Sequence, residues 1–216
     1  MTDLALSERL RDSTRAMHRL AERNAYMGEL LGGRLPREAY GLYLRNLQAL
    51  YHALERELSW LSRDLPTAHW ILPSIFRAGN LAADLDHLVG SRWPALPVTS
   101  AITAYNARIA SVAKECPHRL AAHAYVRYLG DLSGGQVIRD VVRRAYGLGD
   151  GAGAAFYDFD SAGDPATLKA LLRSGLDAYG EAVGRDRASQ IADEAVDAFD
   201  RHRALFDELR GAEADA

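Results

Sequence analysis

The sequence predicts an all-α protein of one multi-helical domain, and three observations carry that reading. Apolar residues recur at intervals of three and four rather than two, and no alternating strand pattern lasts. The prolines fall at the ends of these periodic runs. At 216 residues the chain is long enough for one sizeable core, and no repeat or low-complexity linker divides it.

Taken in order, the first helix is expected from about Leu4 to Arg23. A long helix starts near Pro36, whose ring suits the first helical position, and continues to about Arg63. Pro66 and Pro73 bracket a broken connection before a helix that ends near Val89. Trp93, Pro94 and Pro97 make a loop, and the next helix covers about Ser100 to Lys114, interrupted at Pro117. A glycine-bearing helix follows from about His118 to Tyr146. Gly147 to Gly153 reads as a flexible link, and Tyr157, Asp158 and Phe159 as a loop. Asp164-Pro165 has the cap-plus-proline look of a helix start. The last two helices cover about Pro165 to Val183 and Arg187 to Leu209, giving a core from about residue 6 to 209 within a domain spanning 1–216.

Composition narrows the function classes. Charged residues make up 25% and hydrophobic residues 48%, ordinary for a soluble globular protein. The net charge of -3 and the pI near 6.2 argue against a nucleic-acid surface. Cys116 is the single cysteine, so no internal disulfide forms, which suits a reducing cytoplasm. No charged start leads into an apolar core as in a signal peptide, and the last residues form a polar tail rather than a membrane anchor. The expectation is a soluble cytoplasmic protein for which a monomer suffices, with neither nucleic acid nor membrane as partner.

The stretch from Ala124 to Gln136 is the most informative. It is helical in pattern on both flanks, yet holds Gly130, Gly134 and Gly135. Each interior glycine costs roughly 1 kcal/mol against alanine, about 3 kcal/mol together. Gly130 and Gly134 are four apart and share a face, so a flat, bulky ligand could lie against bare backbone. Asp131 sits beside that face, where a carboxylate could organise water or move protons. Close helix packing is the plainer reading of such glycines. A membrane dimer motif is excluded, because Arg127, Asp131, Arg139 and Asp140 leave no apolar span.

On the first helix His18 and Glu22 are neighbours four apart, with His18 on the flank of a stripe through Leu10, Met17 and Ala21. A neutral imidazole there could ligate iron with one nitrogen while a carboxylate orients the other; an ordinary intrahelical hydrogen bond is the alternative. A di-iron helical site needs repeated Glu-xx-His elements. Only Asp84 with His87 and Glu115 with His118 approach that, and Pro117 breaks the second pair. Lys169 with Arg173, and Arg11 with Arg15, are basic pairs that suit carboxylates on a flat ligand, or are simply solvated helix faces.

Together these residues resemble the haem oxygenase family. Tyr125 to Val137 is similar to its distal-helix motif and His18-Arg19-Leu20-Ala21-Glu22 to its proximal-histidine motif. Tyr51-His52-Ala53-Leu54-Glu55 and Lys169 to Arg173 are similar to further segments in the same order, so that the likeness covers about Leu6 to Leu209 and points to the soluble bacterial branch. The resemblance implies that haem b is both cofactor and substrate. O2 and electrons from an external reductase, ferredoxin or flavodoxin would open it to biliverdin, carbon monoxide and ferrous iron. His18 would be the iron ligand and Glu22 its partner; Gly130, Ser133 and Gly134 would lie against the haem; and Asp131 would hold the water that supplies protons, steadied by Tyr51 and Arg127. Lys169 and Arg173, with Tyr125 and Arg15, would meet the propionates. No histidine on the glycine helix reaches the Gly130 face, His123 being seven residues earlier. Met17 and Gly175 depart from the family pattern, the second leaving a lighter propionate clamp. The alternatives are a non-catalytic haem-binding or haem-carrier protein, which has no need of Asp131, and a related helical fold acting on a pyrimidine or quinone.

Overall fold

The computed structural model describes residues 4–65, 68–149 and 152–214, without the side chains of Glu22 and 212–214. Helix α1 (Leu6–Glu22) buries Leu6, Leu10 and Thr14 against α8 (Pro165–Val183) and α9 (Arg185–Ala214). Asp177 of α8 fixes its start, accepting from the Ser7 N–H at 2.7 Å and hydroxyl at 3.0 Å. Gly180 allows the approach, since a Cβ there would lie 2.6 Å from that of Leu6. The apolar face therefore runs through Leu6, Leu10 and Thr14, while Met17 and Ala21 are half-buried and His18 is exposed to a cleft.

Between α1 and the long helix stands an unexpected one, α2 (Ala25–Leu31). The Asn24 side chain accepts from the Tyr26 N–H at 2.9 Å to start it, and Gly33, at a left-handed φ of 65°, follows its end. Seven residues are too few for a helical period to show. Helix α3 (Arg37–Asp64) begins one residue after Pro36, which caps it instead of opening it. It buries Leu44, Leu47, Leu50, Leu54 and Leu58 and packs against α4 (Ala78–Leu88) and α5 (Ser100–Glu115), while its buried Tyr51 meets the rings of Tyr128 and Phe156. Glu55 of α3 caps α4: its carboxylate accepts from the Arg77 N–H, from the Ala78 N–H at 3.1 Å and from the Tyr128 hydroxyl at 3.2 Å.

The expected glycine helix is three consecutive pieces after a turn at Pro117–Arg119: α6 (Leu120–Ala124), a π-helical turn (Tyr125–Leu129) and α7 (Gly130–Tyr146). The expected loop at 157–159 overlaps the end of a single helical turn, Ala155–Tyr157, and is packed inside. Asp84 accepts from the Ala155 and Phe156 N–H groups, both at 2.8 Å, and Phe156, Tyr157 and Phe159 are buried. Asp84 is thereby engaged with backbone, and among the described residues no three His, Cys, Asp or Glu side chains gather into a metal site. Asp164 caps α8 as expected, accepting from the Thr167 N–H at 2.9 Å. No described helix is long and apolar enough to cross a membrane.

Candidate functional site

Helix α7 presents Gly130, Ser133, Gly134 and Val137, spaced i, i+3, i+4, i+7, as one exposed stripe. His18 of α1 shares with Val126, Gly130, Ser133 and Phe199 the lining of two adjoining cavities of about 320 and 400 Å³. The two form one cleft of the size that takes a small-molecule ligand. Phe199, His202 and Phe206 of α9 make its third wall, and the His18 ring stands edge-on to Phe199 with centroids 6.1 Å apart.

The glycines settle their own purpose. A Cβ added at Gly130 or Gly134 would meet nothing within 4 Å, whereas one at Gly135 would lie 3.4 Å from the Tyr157 ring. Helix packing thus accounts for Gly135 alone. Gly130 and Gly134 keep a strip of bare backbone open to the cleft. Immediately before them the π turn, a widened turn of the kind that often marks functional sites, is wholly buried.

Behind the stripe lies a buried polar triad. The Tyr51 hydroxyl donates to the Asp131 carboxylate, and Arg127 Nε donates to the Tyr51 oxygen at 3.1 Å. Arg127 Nη2 stands 3.7 Å from the other Asp131 oxygen. Burial pushes the Asp131 carboxyl above its usual range, against the pull of Arg127 and the Tyr51 hydrogen bond. Burial likewise drives the Tyr51 hydroxyl well up. For Arg127 burial opposes the charge, but the oxygens of Tyr51 and Asp131 outweigh it and keep the guanidinium charged. A carboxyl so placed, 8% exposed and bordering the cleft, can hold or pass a proton nearer neutral pH than a surface aspartate. Tyr51 is in place because Glu55, one turn on, ties α3 to α4 and to the π turn.

The structure brings together His18, Arg127, Gly130, Asp131, Ser133 and Gly134 along the cleft, with Arg15, Tyr125 and Arg173 at one rim. Arg11 and Arg19 join that rim, and Arg15 Nη2 is 2.6 Å from Asp12. Tyr51 acts from behind, through Asp131 and Arg127. Lys169 sits one turn from Arg173, half-buried and outside the cleft lining. The Glu22 side chain lies outside the described residues. At Gly175 an added Cβ would come within 2.8 Å of the Trp70 backbone, so no charged side chain fits there. Sequence reasoning missed His202, having sought histidines on the glycine helix. Its signal was the spacing of Phe199, His202 and Phe206 at three and four along α9.

Residues 4–208 match the family model described as Heme oxygenase. Among similar proteins, Heme oxygenase 1 of Synechocystis sp. is 34% identical over 207 residues, covering 95% of this chain and 85% of that protein. Heme oxygenase 2 of the same organism is 36% identical over 213 residues, covering 97% and 84%. Among solved structures, heme oxygenase-1 from Synechocystis sp. in complex with heme superposes with a TM-score of 0.90 at 34% identity, covering 97% of this chain and 94% of that one. Heme oxygenase from Leptospira interrogans superposes with a TM-score of 0.89 at 31% identity, covering 95% and 100%.

Proposed function

Because the chain belongs to the haem oxygenase family, we infer that it cleaves haem oxidatively to biliverdin, carbon monoxide and ferrous iron. The observation that carries the reading is the bare backbone at Gly130 and Gly134, facing a cleft shared with His18 and bordered by buried Asp131. These residues fit an iron porphyrin: a flat strip for a flat ring, one imidazole for the metal, and arginines at one rim for two carboxylates. Haem supplies the iron at which O2 is activated and is itself the substrate consumed. The whole chain is taken to work as one haem oxygenase unit.

In this reading one ring nitrogen of His18 would ligate the iron, and Glu22 would be the partner of the other. Gly130 and Gly134 would lie against the ring with no side chain to keep it from the helix, and the small Ser133 beside them would touch it too. Asp131 holds water and moves protons to the reacting side, with Tyr51 and Arg127 fixing its carboxylate. Arg15, Arg173 and Tyr125, at the rim of the cleft, would hold the propionates and so choose which ring edge is attacked, with Lys169 adding only its charge from one turn away. Electrons come from a redox partner, a reductase, ferredoxin or flavodoxin, and the enzyme works as a cytoplasmic monomer. A haem carrier using the same cleft is disfavoured by Asp131, since burying a carboxylate is costly and carriage does not require one.

The test is the absorption spectrum of the protein with one equivalent of haem, followed after adding ascorbate in air with catalase present. Decay of the Soret band as biliverdin appears is the expected result. A Soret band that persists with ascorbate and with a competent reductase leaves a carrier. His18→Ala should lose the axial-histidine signature of the ferric complex; an unchanged spectrum would move the ligand elsewhere.

A further inference from the structure

Helix α9 places on the cleft wall a histidine that none of these roles uses. His202 is 8% exposed, and its ring stands edge-on to Phe206 with centroids 4.6 Å apart. Its Nδ1 is buried without a hydrogen-bond partner, an arrangement that lowers stability. Burial and the nearby charge of Arg127 hold the imidazole pKa well below its usual range, so the ring is neutral and carries one N–H. An orphaned lone pair in a protein interior is the lesser penalty, because buried N–H groups without an acceptor are the rarer case. The proton therefore belongs on Nε2, and Nδ1 keeps the unused lone pair. The ring borders the same cavity as Arg127 and Asp131.

We propose that His202 is a positioning residue of the cleft, donating from Nε2–H to the water on which Asp131 acts. The inference rests on the haem oxygenase reading of the site. The two residues divide the work. Asp131 exchanges protons, while His202 gives a fixed hydrogen bond without surrendering its proton. The unpaired Nδ1 explains why the arrangement belongs to function rather than to folding, since a leucine of similar bulk would suit the core better.

Two measurements on His202→Leu and His202→Gln test this. Without haem, His202→Leu should melt at a higher temperature than the parent, because the orphan nitrogen is gone. With ferric haem bound, fluoride, a strong hydrogen-bond acceptor, should bind about tenfold more weakly to His202→Leu, by the loss of one donor. His202→Gln, whose amide N–H can stand in for Nε2–H, should restore most of that affinity. Equal fluoride affinity in His202→Leu and the parent overturns the proposal, as does failure of glutamine to restore it. A parent protein that binds no haem sinks the haem oxygenase reading and this proposal with it; a difference confined to the variants bears on His202 alone.

Discussion

Asp131 is the residue on which the proposed chemistry turns, and it is held at a cost. Its carboxyl is buried, pushed above the usual range by that burial, and kept in place by Tyr51 and Arg127. Asp131→Asn preserves the shape and the Tyr51 contact but cannot carry a proton. It should bind haem within about twofold of the parent and form biliverdin roughly 10²-fold more slowly. The two are separated by a haem titration and the rate of Soret decay, and an undiminished rate would end the proton-handling role. Part of this was legible at the level of single residues: Gly130, Asp131 and Gly134 stand out by type and spacing, while His18 takes its role only from the family resemblance. The Tyr51–Asp131 hydrogen bond was not derivable from pattern, because it joins residues 80 positions apart. His202 went unseen for a similar reason. Its place on α9 follows the spacing of Phe199 and Phe206, but that it shares a cavity with Asp131 is made by packing of α9 on α6 and the π turn, which no local rule encodes.

At the scale of elements, periodicity located the long helices closely, and α8 begins where Asp164-Pro165 put it and ends at Val183 as expected. It failed where a helix is short, as in α2, and where turn geometry changes without any change in residue pattern, as at Tyr125–Leu129. The glycines of α7 carry opposite expectations according to what a Cβ would meet. Gly134→Ala adds its methyl to open space and replaces the poorest common helix former. The haem-free protein should gain about 1 kcal/mol, raising its melting temperature by about 2–4 °C, while haem affinity falls. Calorimetry with and without haem checks both halves, and a variant gaining stability with unchanged affinity would take the ring away from this strip.

Across the whole molecule, Glu194 of α9 ties that helix to α5 and α6. Arg108 of α5 donates to its carboxylate at 2.9 and 2.6 Å, and His123 Nε2 of α6 lies 3.2 Å away. Burial resists the charge, yet His123 and Arg108 hold the carboxyl down to about 2. A folded-state pKa below the usual 4.5 means that this stabilisation is complete above about pH 4.5 and lost as the pH falls toward 2. Asp131, Glu55 and Asp84, whose carboxyls burial raises, act in the opposite sense. The difference between parent and Glu194→Gln therefore isolates Glu194. Urea unfolding should show a gap on the order of 2–3 kcal/mol at pH 7, shrinking below pH 4.5; a gap independent of pH would mean that its charge is immaterial.

The cleft is assembled from α1, α7 and α9, and that order has a consequence in time. A chain is made from its N-terminus at roughly 5–20 residues per second, and Phe199 and His202 follow His18 by about 180 residues. For about 10–40 s of synthesis, α1 therefore exists without the helix on which most of its buried face will rest. During that interval a nascent chain has the imidazole but neither its third wall nor a settled distance to the glycine strip. A cleft complete on all three walls thus exists only after α9 has been made and has folded back, so the site is finished late in synthesis.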